Sequence, residues 1–516
     1  MRSINSIRNI KYNLIFFGVN SILAFALRTV LINFIGPEIT GIDEVLKNLI
    51  SFLNVAELGI GMAITYSLYS PLSEGRYEEI SSIVLLYKYI YRIVGVVVLF
   101  LAIIASFFIQ YIIKSDVFSI QQIIILFFMY SSVTIISYFY SYSRVVAIAD
   151  QKNYIISRIT GIFNTSKILL QISCIIIFRS YFIMLLIEVI FNIASYLYIN
   201  KTILNKYSWL IFENKKLKEL IIEHKSIFND IKNVFYHKIA GLVVFQTDNI
   251  MLSAFINLTT VTIYSNYVLI TGLFSSLFMQ IIVGIKSSIG NLIAERDNQK
   301  SYNIFIEINR IFDILGFVVC YCLYININNL VVLWIGEDMT FDMGIVFIIL
   351  INLFIKIARN PVEAFKDGYG LFWDIYAPLA EAIINLIVSL ILVKYIGVTG
   401  IVLGTFMSNF IIVIIWKPYM LFKYGFKLKM KNYLISKFKF VLISVCSIFI
   451  SNLILREIDL NTGNMLVNLI KGSIISVSSV SISYYIISLL DYDHRVFYSK
   501  YLKKIKSLLK VNRAIN

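Results

Sequence analysis

About fourteen apolar runs of bilayer-crossing length follow one another along this chain, and that succession restricts the fold more than any other feature. A run of about 20 apolar residues spans hydrocarbon only as a helix, which satisfies its own peptide groups; a barrel would show alternating segments of about ten. The expected spans are 12–35, 41–68, 88–112, 119–147, 154–178, 181–200, 233–257, 261–293, 304–326, 343–366, 375–395, 399–416, 437–455 and 465–490. Only 15% of the 516 residues are charged, against about a quarter in soluble domains. The expectation is an all-α integral membrane protein.

Charge placement gives an orientation. Cytoplasmic loops carry the Lys and Arg surplus. The connection 201–232 holds Lys201, Lys206, Lys215, Lys216, Lys218, Lys225 and Lys232. The loop 417–439 and the tail 491–516 are similarly basic, whereas the opposite side has only Lys114, Arg179, Lys394 and Arg456. Both termini are thereby expected inside. The net charge of +16 is then topological, and nucleic acid is not needed to explain it. Lys500, Lys503, Lys504, Lys506 and Lys510 in the tail suit anionic lipid headgroups. Near the start, Ala24-Phe25-Ala26 imitates a cleavage site, but the apolar run continues past Arg28 to Ile35, so an uncleaved first span is expected.

The longest internal connection follows the sixth span. It divides the chain into a six-helix lobe at 1–200, a basic cytoplasmic linker at 201–232 and a second six-helix lobe at 233–420. Two further helices at 421–490 and the tail at 491–516 complete the expected organisation. A displacement of 220 residues lays Ser67 on Ser287, Leu72 on Leu292 and Arg76 on Arg296. An even number of spans per half makes such repeats parallel, related by a pseudo-two-fold axis along the membrane normal.

Within the spans, polar residues are expensive and normally face a bundle interior or a wet cavity. Asp43, Lys47, Asn54 and Glu57 recur at helical spacing near one stripe of the second span. Arg28 lies midway along the first span, and Asp248 falls at its counterpart under the same displacement. Lys238 and Asp248 share roughly one face of the seventh span. Lys286 stands near the inner end of the eighth. The tenth span carries Asn352, Lys356, Arg359 and Glu363, with Pro361 expected to interrupt the helix, and Glu381 and Asn385 share a face of the eleventh. Arg28, Lys47, Lys238, Lys286, Lys356 and Arg359 are candidate ligands for an anionic substrate, because Arg and Lys bind phosphate by charge-assisted hydrogen bonds. Glu57, Asp248, Glu363 and Glu381 either couple an ion or pair with those cations. Snorkelling to headgroups is the alternative for Lys286, Lys356 and Arg359.

No nucleotide-binding, serine-hydrolase or zinc-protease motif occurs, and no outer loop is large enough for a catalytic domain. Cys174, Cys320, Cys322 and Cys446 lie in apolar runs, and His224, His237 and His494 lack ligand spacing. Neither a disulfide framework nor a metal or cofactor site is expected.

Several segments in order carry a family resemblance: AELGIGMAITYSLYSPL (56–72), VAIADQKNY (146–154), QTDNIMLS (246–253), YSNYVLI (264–270), SSIGNLIAE (287–295), LWIGED (333–338) and DIYAPLAEAIINLIVSLILVKYIGVTGIVLGT (374–405). The chain resembles the polysaccharide transporter family of bacterial oligosaccharide flippases over about residues 12–430. Their superfamily also includes multidrug/toxin extrusion transporters and lipid II flippases. The resemblance implies paired six-helix lobes that alternate between inward- and outward-open states. It also implies a cationic cavity and, as cargo, an undecaprenyl-diphosphate-linked oligosaccharide crossing the bacterial cytoplasmic membrane. A coupling ion, proton or sodium, and a polysaccharide polymerase as partner belong to the same expectation. An exporter of organic cations is the runner-up, with acidic rather than basic cavity groups. A membrane-embedded polymerase or glycosyltransferase is the enzymatic alternative.

Overall fold

The computed structural model describes residues 2–54, 60–213, 215–225, 227, 247–371, 376–458 and 463–500. Among the described residues the chain is helical throughout, with no strand. Twelve of these helices are long and apolar enough to cross a bilayer, as a multi-pass membrane protein requires. They match twelve of the fourteen expected spans. The other two, 41–68 and 233–257, run into residues 55–59 and 228–246, outside the described set.

Helix α1 (Arg2–Phe34) ends at Gly36, whose φ of 105° is a left-handed turn open to glycine. Pro37 then opens α2 (Pro37–Leu53) at a position where its missing N–H costs nothing. Short helices α3 (Ile60–Ser67) and α4 (Tyr69–Glu74) lead to α5 (Tyr77–Ser106) and the single turn α6 (Ile109–Ile112). Ser119 and Gln122 form a reciprocal capping box that starts α7 (Ile120–Tyr140). After the short α8 (Arg144–Ala149) come α9 (Asn153–Phe178), α10 (Tyr181–Lys206) and the connector helix α11 (Leu217–Glu223). Connector residue Leu220 packs on Leu85 and Leu86 of α5, so part of the basic linker is folded onto the bundle.

Helix α12 (247–255) precedes α13 (Leu258–Ala294), α14 (Asn298–Ile335), α15 (Met343–Gly368) and α16 (Tyr376–Ile396). Helix α17 (Val398–Phe426) continues ten residues beyond its expected end at 416. The last two helices are α18 (Lys431–Glu457) and α19 (Met465–Ser488). With 38 residues, α14 is about 57 Å long, so it protrudes well beyond hydrocarbon of about 30 Å.

The chain divides into two compact units: residues 1–265 with 390–401, and residues 266–389 with 402–516. The first boundary falls inside α13. In the first unit α1 packs on α9, α9 on α10, and α7 against α2, α5 and α10. In the second, α14 packs on α15 and on α19. Phe317, Tyr321, Phe440, Ile443, Val480 and Tyr484 form an apolar cluster there that includes both appended helices.

Small and hydroxyl-bearing residues bring α18 and α19 close, since lipid offers no hydrophobic drive between helices. Ser451 and Ser479 hydroxyls meet at 2.5 Å, and Asn326 donates to Ser476 at 3.3 Å. Just beyond the last span, Asp491 accepts from Lys439 Nζ at 2.6 Å and pairs with His494 Nδ1 at 2.9 Å. Burial pushes that carboxyl up, but these hydrogen bonds outweigh it and bring it down to about 2. Its ordinary value is higher, so the contribution is full at neutral pH and lost only as pH falls towards 2.

Helices α16 and α17 pass close to each other at Gly404, where an added Cβ would stand 2.8 Å from the Ser389 backbone nitrogen and 3.0 Å from the Asn385 carbonyl oxygen. Backbone cannot yield as a side-chain tip can, so Gly404→Ala should destabilise the protein by about 1–3 kcal/mol. Gly344→Ala, which meets nothing within 4 Å, should alter stability by less than about 1 kcal/mol. Unfolding of the two variants in detergent checks this; equal stabilities would contradict the close crossing.

Candidate functional site

Each unit holds its own cluster of intramembrane charge. In the first, α1 presents Arg28, which is 6% exposed. Its Nη1 donates to Glu44 Oε1 at 2.8 Å and its Nη2 to the Thr262 carbonyl at 3.1 Å. The neighbouring Asp43, also on α2, is fully enclosed. It accepts from Tyr181 OH at 2.8 Å, from Lys47 Nζ at 2.6 Å and from the Tyr130 hydroxyl. Lys47 is half-exposed, one helical turn along α2. Tyr138 donates to Asn54 at 3.2 Å.

A second pair lies between α9 and α10. Lys167 Nζ donates to Glu188 Oε1 at 2.8 Å, and Gln171 and Asn192 donate to the same carboxylate at 3.0 and 2.8 Å. Arg28, Lys47 and Lys167 thus face Glu44, Asp43 and Glu188. Glu44, Lys167 and Glu188 are not among the residues singled out from sequence. The only signal for them was their charge within spans, since pairing depends on which helices become neighbours.

Arg28 also belongs to a junction with the first turns of α13. Thr262 Oγ1 donates to the Pro37 carbonyl at 2.5 Å. A Cβ on Gly41 would come within 2.1 Å of the Leu258 carbonyl oxygen, so α2 rests directly on α13 backbone. Asp248 accepts from Tyr264 OH at 2.8 Å. Glu57 and Lys238 lie outside the described residues.

In the second unit, Arg359 Nε donates to Glu363 Oε1 at 3.0 Å and its Nη1 to Glu381 Oε1 at 3.1 Å. Lys417, absent from the sequence-derived set, completes the cluster: its Nζ is 2.6 Å from Glu363 Oε1 and 3.4 Å from Glu381 Oε2. Sequence placed Lys417 in a loop, because the apolar run stops at Trp416. Lys356 is exposed, one turn before Arg359. Lys286 is half-exposed and pairs with Asp367 at 2.6 Å. Asn352 donates to the Val402 carbonyl and Asn385 to Thr405.

Pro361 does not end its helix: α15 runs through it to Gly368. The carbonyl of Ile357, which the proline cannot bond, accepts instead from Asn360 Nδ2 at 3.1 Å. A side chain repairs the missing bond, as membrane helices allow, and Arg359 and Glu363 therefore stay one turn apart.

No family model matches the chain, and no curated protein does. Among solved structures, a lipid II flippase, MurJ, in an inward closed conformation matches with a TM-score of 0.68 and 16% identity, covering 93% of this chain and 99% of that one. An outward-facing multidrug-resistance MATE transporter of the MOP superfamily matches with a TM-score of 0.56 and 13% identity, over 82% of this chain and 95% of the other. An inward-facing MATE transporter gives 0.55 and 14%, over 78% and 94%. The chain therefore has the fold that this flippase and these transporters share.

The Gly41 junction yields a test. Gly41→Ala should force α2 and the start of α13 apart, because the obstructing atoms are backbone. With cysteines at Pro37 and Thr262, disulfide yield in membranes should fall several-fold when Gly41→Ala is added. An unchanged yield would show that the two segments do not depend on this glycine.

Proposed function

We propose that the protein is a flippase that carries an undecaprenyl-diphosphate-linked oligosaccharide across the bacterial cytoplasmic membrane by alternating access, for surface polysaccharide synthesis. The reading is of a carrier, not an enzyme. The fold likeness to a lipid II flippase and the resemblance of the sequence segments support it. Arg28 is the observation that carries it: a guanidinium buried in a membrane helix and bonded to a carboxylate and a carbonyl, whose places phosphate oxygens can take.

The pairing of Arg28 with Glu44 gives this reading a physical form. A bare charge buried among helices is costly, and breaking a buried pair leaves one. A diphosphate that displaces Glu44 substitutes one anion for another, so Arg28 keeps a counter-charge throughout the cycle. Binding drives transport only where its strength differs between the two end states, and the headgroup crosses without meeting hydrocarbon unaided. Lys47 and, in the other unit, Arg359 and Lys356 serve the same class of anion. Both termini face the cytoplasm, and a proton or sodium gradient supplies the work.

The equal number of carboxylates in the first cluster favours a second reading, export of an organic cation, for which Asp43, Glu44 and Glu188 would be the ligands. Purified protein that binds organic cations and not polyprenyl diphosphates would establish that reading instead. Under the flippase reading, Arg28→Ala should abolish repeat-unit export while the protein still inserts in the membrane at normal abundance. Export measured in cells complemented with the variant checks this, and normal export would remove Arg28 from the mechanism.

A further inference from the structure

The most deeply enclosed lysine or arginine among the described residues is Lys417, 2% exposed. Its helix is unusual around it. Turns of α17 widen to i→i+5 hydrogen bonding over Asn409–Trp416 and again over Leu421–Phe426, with Lys417–Met420 between them. Pro418 lacks an N–H and cannot continue a regular ladder, and widened turns of this kind concentrate at functional positions. A lysine in such a helix would ordinarily reach for a membrane surface. This one instead points its ammonium between two carboxylates.

The four groups close a ring. Glu363 Oε1 accepts from both Arg359 Nε and Lys417 Nζ, while Glu381 offers Oε1 to Arg359 and Oε2 to Lys417. The two cations occupy different kinds of place. Arg359 presents a planar fork, and its two contacts use that geometry; an ammonium is a compact point charge. What Lys417 fills is a pair of carboxylate oxygens from two different helices, the donor set that hard metal cations prefer. Glu381 is itself 2% exposed. Two carboxylates less the one guanidinium of Arg359 leave a single negative charge, which suits one monovalent cation.

We propose that Glu363 and Glu381 form a monovalent-cation site that the chain occupies with its own tethered ammonium. Sodium or potassium is then excluded while Lys417 is present and enters when it is removed. The inference goes beyond the cargo assignment and does not depend on it.

Thermal unfolding of the full chain in detergent, in sodium, potassium or choline chloride at equal ionic strength, tests the proposal without any transport assay. Wild type and Lys417→Arg should show no sodium- or potassium-specific shift that Glu381→Gln abolishes. Lys417→Met should melt lower in choline and show a saturable upward shift with sodium or potassium, and Glu381→Gln added to it should lose that shift. Absence of a cation response in folded Lys417→Met would overturn the proposal. If that variant does not fold, wild type still decides: a sodium- or potassium-specific shift that Glu381→Gln abolishes overturns it, and a salt response that Glu381→Gln leaves unchanged supports it.

Discussion

A charge inside a membrane protein has to be matched before it can be used. In the first unit Arg28 meets Glu44, Lys47 meets Asp43 and Lys167 meets Glu188. In the second, Arg359 and Lys417 share Glu363 and Glu381. Helix placement follows from this requirement as much as from apolar packing. The tyrosines on Asp43 come from α7 and α10, so one carboxylate ties three helices. Removing Lys47 would leave the enclosed Asp43 without its counter-charge, which costs far more than an exposed pair contributes.

The same requirement shapes what the site can bind. In the first unit the described charges balance, three cations against three carboxylates, so the pull on a distant anion is weak and selectivity must come from exchange at close range. Exchange is favourable when the incoming group holds the cation at least as well as the carboxylate it displaces. A diphosphate satisfies that condition through several oxygens and geometry suited to the planar guanidinium. An organic cation would have to release a lysine or arginine instead.

The sequence was most informative where the rule is local. Apolar run length placed twelve spans within a few residues at most ends, because hydrocarbon thickness imposes it. Charged residues within spans were equally visible. Their partners were not, since Glu44 faces Arg28 only after α1 and α2 fold back on each other at Gly36. Lys417 was missed for a related reason: the apolar signal ends one residue earlier, while the helix continues through widened turns that hydropathy does not register. Pro361 misled in the opposite direction, because the Asn360 side chain bonds the carbonyl that the proline leaves unused. Pairing and repair are tertiary facts, and spacing along one helix carries neither.

The central claim is that Glu44 holds the place of a substrate phosphate on Arg28. The affinity of purified protein for undecaprenyl diphosphate, measured for wild type, Glu44→Gln and Arg28→Ala/Glu44→Gln, tests it most directly. Removing the competing carboxylate should tighten binding by about tenfold, equivalent to about 1.4 kcal/mol, and the double variant should lose that gain. Weaker or unchanged binding by Glu44→Gln would contradict the account.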